Sequence, residues 1–320
     1  MSSMGVFNYN LQPLHALFIS HIHKGIMRCD LHVHSTASGM MDTPGLKYFC
    51  RESYSEPAAV YSRLKRLGMS LVTLTDHDSI DASETLRHHR DFFISEEATV
   101  ALPTGTLAHL GVFGITERDH AEIQRRRNDF PSLLMYLTER RLLFCVNHLF
   151  SGLTGRRTRE DFHWFASYAP AYETRNGQMS LSQNAAAEWQ AAHHGKIALG
   201  GSDAHTLAHA GMTYTLVRGA RTMEEFLAGL RVGRGVVCGS HGSYFKLAAD
   251  VMRVARAMFC EQPLTLALLP LGALVPAFIL HHWVNELRFC RRWRAALAQT
   301  ACAPPSFWDF DRKREANLAS

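Results

Sequence analysis

A chain of 320 residues that is 47% hydrophobic and 20% charged has the make-up of an ordinary soluble protein, which excludes disordered and fibrous classes. Its formal charge of +5 suits a phosphate-bearing substrate and is too small to argue for nucleic acid. Seven cysteines, an odd number without a CxxC pair and several of them in apolar runs, read as buried free thiols of a reducing, cytoplasmic compartment.

Residues 1–25 read as an N-terminal extension. They lack a charged start followed by an unbroken apolar run, so a secretory signal is not expected. His15, His21 and His23 have no carboxylate beside them and read as packing or surface histidines. Chemistry begins at Cys29-Asp30-Leu31-His32-Val33-His34-Ser35. Leu31 and Val33 alternate with Asp30, His32 and His34, so a strand over Ile26–His34 lines one wall with three polar side chains. Left unpaired inside, each would cost roughly 1–3 kcal/mol, a cost that a divalent cation removes.

A loop rich in Gly, Ser and Pro runs to about Ser55, and Glu56-Pro57 opens a helix with apolar Ala59, Val60, Leu64 and Leu67 that stops at Gly68. Ser70–Thr75 is a short β-branched run, a strand buried on both faces, and it delivers Asp76-His77-Asp78. Strands over 99–102 and 107–115 follow, with Glu96-Glu97 just before the first and His109 inside the second. A helix over 131–140 leads to a strand over 142–146 that ends in Asn147-His148. A strand over 171–174 precedes Arg175-Asn176-Gly177, and an Ala-rich helix covers 181–193. A strand over 197–199 runs into Gly200-Gly201-Ser202-Asp203-Ala204-His205, with a helix over 222–232 and a strand over 235–238 beyond. Short apolar strands alternating with amphipathic helices predict a parallel α/β architecture, whose strand ends converge on one site.

The ordered motifs Asp-Leu-His-Val-His-Ser, Leu-Thr-Asp-His-Asp, Ser-Glu-Glu-Ala-Thr, Val-Asn-His and Gly-Ser-Asp-Ala-His resemble those of the polymerase and histidinol phosphatase (PHP) family, from about Arg28 to Ser240. The resemblance implies a distorted seven-stranded (β/α) TIM-like barrel over 26–243, two or three divalent metals, and hydrolysis of a phosphoester by a metal-activated water. Carried over by position, His32, His34 and Asp203 hold one metal, and Glu97 bridges it to a second that His148 and His109 complete. His77 and His205 hold a third. The acid that the third site takes from the first loop is missing: Gly39 follows Ser38, and the nearest acid is Asp42. Either Asp42 reaches that metal or the third site is weak. His32, His34, Glu97 and Asp203 form the implied catalytic core. Imidazole and carboxylate without thiolate suit Zn, Mn or Fe.

Around that core, Asp30 is a candidate to orient one of the histidines, and Glu96 a solvated or helix-pairing neighbour of Glu97. Arg175 follows a strand end and is a candidate phosphate contact, because a planar guanidinium binds phosphate bidentately; Asn176 is a candidate to orient substrate or water. Arg156 and Arg157 read as phosphate contacts or as solvated surface arginines.

The helical C-terminal extension, 244–299, differs in character. Gln262–Asn285 contains no Asp, Glu, Lys or Arg, is long enough to span a bilayer, and is followed by Arg288, Arg291, Arg292 and Arg294. Pro270, Pro276 and His281-His282 oppose spanning, so packing on the domain or peripheral membrane contact is expected. The tail 300–320 is polar with Pro304-Pro305. Three classes of function follow. One is a metal-dependent phosphoesterase for a small phosphorylated metabolite, nucleotide or short oligonucleotide. The others are a catalytically weak metal-binding accessory module and a membrane-associated partner protein.

Overall fold

The computed structural model describes residues 25–41 and 45–298. Asp42, the three histidines of the N-terminal extension and the tail lie outside the described residues.

The strands pair into two sheets. In one, β1 (Ile26–Cys29) pairs with β7 (Thr213–Arg218), which pairs with β8 (Gly235–Gly239), all antiparallel. The other holds β2 (Ser95–Ala101), β3 (Leu107–Phe113), β4 (Leu143–Val146), β5 (Ala171–Asn176) and β6 (Ile197–Gly201) in chain order. The fold is mixed α/β, which corrects the expectation of an all-parallel sheet: β2/β3 and β3/β4 are antiparallel, and only β4/β5 and β5/β6 are parallel. Only Leu102–Thr106 lies between β2 and β3, closed by a 2.8 Å hydrogen bond from Leu102 N to Thr106 O, and a parallel crossover needs about a dozen residues.

Continuous ladders do not close a barrel among the described residues. Isolated bridges join segments outside the ladders, Val33 to Ala204 and Val72 to Phe92, and one joins His77 to Glu97 of β2. The run Ser70–Thr75 makes one such bridge instead of a ladder because its threonine hydroxyls take over. Thr73 Oγ1 donates to Phe93 O at 2.7 Å, and Thr75 Oγ1 accepts from Val33 N at 3.0 Å.

The helices are α1 (Pro57–Arg66), α2 (Ala82–Leu86), α3 (Glu117–Arg126), α4 (Phe130–Glu139), α5 (Arg159–Tyr168), α6 (Leu181–His193), α7 (Met223–Arg231), α8 (Tyr244–Glu261) and α9 (Val275–Ala298), with a 3-10 helix over Pro263–Leu274 between the last two. Sequence periodicity misses α3 and α5, whose charged outer faces leave few apolar positions to count. Each nevertheless opens on a capping box, Thr116 with Asp119 and Thr158 with Asp161, which is a legible start signal.

The C-terminal segment is packed onto the domain. α9 buries Ile279, Cys290 and Trp293, the last two in the same apolar cluster as Phe150, Phe162 and Phe165. It also buries Glu286, whose carboxylate accepts from Ser151 Oγ at 2.7 Å, Gly152 N at 3.0 Å and Gln183 Nε2 at 3.0 Å. Asp250 does the same for α8, accepting from Thr206 Oγ1 and His209 Nδ1, each at 2.6 Å, and from Gln178 Nε2 at 3.0 Å. Two buried carboxylates satisfied by the domain's own donors fix this hairpin in place. No single described helix is long and apolar enough to cross a membrane; the segments Pro263–Pro270 and Gly272–Ala298 meet at a bend of 59°.

Candidate metal centre

Seven segments deliver polar side chains to one place. The loop after β1 brings His32 and His34, the loop before α1 brings Glu52, and the run after Thr75 brings His77. β2 and β3 bring Glu97 and His109, and the ends of β4 and β6 bring His148, Asp203 and His205. Close backbone approach makes this convergence possible. A Cβ on Gly201 would lie 2.3 Å from His32 N, so only glycine lets the end of β6 abut the first histidine. His148 (φ 31°) and Asp203 (φ 50°) both take left-handed backbone, a strain of about 1–3 kcal/mol each. Hydrogen bonds hold it: His148 N donates to Glu173 Oε2 at 2.8 Å, and Asp203 N donates to His32 O at 2.6 Å.

Glu97 sits at the middle. One of its oxygens lies 3.2 Å from His32 Nε2, 3.3 Å from His34 Nε2 and 3.3 Å from His77 Nδ1. The other lies 3.2 Å from His148 Nε2 and 3.3 Å from His109 Nδ1. Asp203 Oδ1 lies 3.4 Å from His32 Nε2 and 3.3 Å from His34 Nε2. His77, His205 and His34 form a further group able to hold an ion, and Glu52 Oε1 stands 3.8 Å from His77 Nε2 and 3.5 Å from His205 Nε2.

The outer nitrogens are held. His32 Nδ1 donates to Glu173 Oε1 at 2.8 Å, and His34 Nδ1 donates to Ser38 Oγ at 3.1 Å, whose own hydroxyl donates to Asp76 Oδ1 at 2.7 Å. With those protons outward, the Nε2 lone pairs of His32 and His34 face each other at 3.1 Å beside two carboxylates. A proton on one of the rings or a bound cation reconciles two lone pairs at that separation. The donor set contains nitrogen and oxygen alone, and His148 keeps a buried Nδ1 without a hydrogen-bond partner. These residues fit divalent cations.

The electrostatics agree. Burial raises the Glu97 carboxyl, and the imidazoles of His32, His109 and His77 override it, holding it well below the usual carboxylate range. Asp203 is held down in the same way by His32, His34 and His205. For Glu52, His205, His77 and His34 outweigh burial and bring it to about 2. Burial opposes charging of His34, and its bonds to Asp203 and Glu97 win, lifting it to about 9. His77, driven first by burial and then by the neighbouring imidazoles, falls to about 3. Such opposed shifts within one buried cluster are typical of functional sites.

His32, His34, His77, Glu97, His109, His148, Asp203 and His205 are thus brought together. Asp42 lies outside the described residues, and the carboxylate beside His77 and His205 is Glu52. Its signal was the Glu-Ser-Tyr-Ser-Glu-Pro stretch, legible as a helix entry and not as a ligand. Glu173, which orients His32, was also missed; a lone acid inside Ala171–Asn176 carries no motif. Asp30 does not touch an imidazole. It accepts from the backbone of His32 at 3.2 Å, Ser202 at 2.8 Å and Gly211 at 2.8 Å, because the run after Cys29 leaves strand geometry and turns its carboxylate toward the Ser202–Asp203 corner. Asn176 is fully buried and donates to Glu173 Oε2 at 2.9 Å and Asp203 Oδ2 at 2.8 Å, so it orients the carboxylates. Arg175 points away, toward Gly239 O, because a bulge between Glu173 and Arg175 gives the cluster face to Glu173 and Asn176. Arg157 is buried, bonded to Leu107 O and Thr154 Oγ1. Glu96 is buried against α3, 2.9 Å from His120 Nδ1 and 2.7 Å from Gln124 Nε2.

Fold and site together define a mixed α/β protein with a buried His/Asp/Glu cluster able to hold divalent metals. The model of the PHP-associated family matches residues 182–234. Among solved structures, PsfC from Pseudomonas syringae is similar at 16% identity and a TM-score of 0.52, covering 72% of this chain and 99% of that one. A two-domain protein from Bacteroides vulgatus containing a predicted PHP-like metal-dependent phosphoesterase is similar at 15% identity and a TM-score of 0.51, covering 73% of this chain and 69% of that one. No curated protein matches the sequence. The family match over 182–234 and the shared fold agree with the resemblance of the ordered motifs to the PHP family.

Proposed function

We propose that this protein is a metal-dependent hydrolase of phosphate esters, acting on a small phosphorylated metabolite, a nucleotide or a short oligonucleotide. The observation that carries the reading is Glu97, a carboxylate set among five imidazoles with Asp203 and Glu52 on either side. We read the seven converging segments, linked by ladders and single bridges, as the family's distorted barrel.

His32, His34, Asp203 and Glu97 would hold one ion, Glu97, His109 and His148 a second, and His77, His205 and Glu52 a third. Zn, Mn or Fe suits these donors. When bound, such ions neutralise phosphate oxygens and acidify water. The chain's own residues do the rest. Glu173, Ser38 and Asp76 fix the His32 and His34 tautomers, and Asn176 holds Asp203 and Glu173 in place. His77, His109 and His205 remain partly exposed and face the side from which substrate arrives. We assign neither Ser35 nor Ser202 as a nucleophile: both are fully buried, their hydroxyls donating inward to Asp76 at 2.8 Å and Asp30 at 2.5 Å. The buried free thiols Cys29, Cys145 and Cys290 suit a reducing compartment such as the cytoplasm.

The test is metal analysis together with hydrolysis of p-nitrophenyl phosphate and bis(p-nitrophenyl) phosphate. His32→Ala and Asp203→Ala should remove bound metal and turnover together. Metal uptake without turnover on any phosphoester would leave the binding module, and turnover in metal-depleted protein would overturn the scheme.

A further inference from the structure

The C-terminal hairpin carries a surface that neither the core nor the metal centre uses. Leu264, Leu266, Leu269, Leu274, Phe278 and Leu280 are all exposed, Leu264 at 93% and Phe278 at 69%. They lie on the 3-10 helix over Pro263–Leu274 and the start of α9, in the stretch Gln262–Asn285 that holds no ionic side chain. Monomeric soluble proteins seldom leave so many large aliphatic groups together in water. The charges that flank this stretch have one sign. Arg256 on α8 and Arg288, Arg291, Arg292 and Arg294 on α9 are exposed; Arg253 is exposed as well and is paired with Asp250 at 3.2 Å. The acids of the two helices are engaged elsewhere: Asp250 and Glu286 are buried against the domain, and Glu261 is paired with Arg51 at 2.8 Å.

We propose that this face rests on an anionic lipid surface, the leucines and Phe278 entering the acyl boundary and the arginines meeting the headgroups. An anionic nucleic acid would engage the arginines and leave the leucines in water. A second copy of the chain would cover the leucines and bring arginines of like charge close to one another. A lipid surface accounts for both features, and a segment docked through buried carboxylates lies on such a surface without crossing it. The assignment holds whatever reaction the metal centre performs.

Full-length protein is sedimented with vesicles of phosphatidylcholine alone and of phosphatidylcholine mixed with phosphatidylglycerol. Wild type is expected to pellet with the anionic vesicles and to be released as salt rises. Leu264→Glu with Leu269→Glu and Phe278→Glu should stay in the supernatant while retaining wild-type metal content, which certifies the fold. Arg288→Gln with Arg292→Gln should weaken binding roughly tenfold on anionic vesicles only. Wild type remaining in the supernatant with both vesicle types overturns the proposal, as does a triple variant that pellets like wild type. A wild-type dimer that the triple variant disperses, without vesicle binding, gives the face to a second copy instead.

Discussion

The metal centre and the C-terminal hairpin break the inside-out rule in opposite directions. At the centre, His32, His34, Glu97 and Glu173 are buried at 3% exposure or less, whereas on the hairpin Leu264 and Leu274 stand at 93% and 65%. Buried ionisable groups are tolerated when partners satisfy them. Here the partners are one another, with the Nε2 atoms of His32 and His34 3.1 Å apart beside Glu97 and Asp203. Exposed leucines have no such internal remedy. The first region is therefore suited to ions and the second, on our proposal, to a surface: both exceptions to burial are places fit to meet something else.

The sharpest way to break the comparison is to remove an inner ligand. Asp203→Ala should lower turnover by about a thousandfold or more and strip the metal it shares, read by metal analysis, while vesicle binding stays unchanged. Glu173→Gln weakens the carboxylate that orients His32 and accepts from His148 N and Asn176 Nδ2, so a loss of about 10–100-fold in metal affinity is expected by titration of metal-free protein. Next come the packing and anchoring positions. Gly201→Ala forces a Cβ onto His32 and should cost about 1–3 kcal/mol in chemical denaturation, with metal lost in parallel. Glu286→Ala leaves Ser151, Gly152 and Gln183 without their acceptor and should cost about 1.5–3 kcal/mol, loosening the hairpin and, through the Ser151 N to His148 O bond, the loop of a ligand.

The smallest effects are read against pH. In metal-free protein His34 is raised to about 9 from an ordinary value near 6.5. Its contribution to stability is therefore complete below about 6.5 and is lost as pH rises through about 9. Metal must displace that proton, so metal affinity should climb about tenfold per pH unit over the same window, in the opposite sense to stability. A titration across that range showing affinity flat with pH would refute the assignment. Far from the cluster, Asp119 is brought to about 2 against burial by Thr116, Tyr136 and Arg140. Its contribution of about 1 kcal/mol is present above about 4 and lost as pH falls through about 2, and Asp119→Asn should flatten that acid limb.

Residue identity and order alone made the candidate metal cluster legible, because paired histidines, Thr-Asp-His and Ser-Asp-Ala-His are local patterns. Helix positions such as Leu181–His193 were likewise legible, since their period is local. Tertiary structure decided what depends on distant partners. It set the antiparallel turn from β2 into β3 and the single bridges where full strands were expected. It brought Glu52 to His77 and His205, gave the orienting role to Glu173 in place of Asp30, and turned Arg175 outward. A carboxylate becomes a ligand or an orienter through what it faces across the fold, and spacing along the chain does not encode that. The same holds for the hairpin: its apolar run was visible in sequence, but only the burial of Asp250 and Glu286 in the domain's hydrogen bonds showed that it lies against the protein, with its leucines left outward.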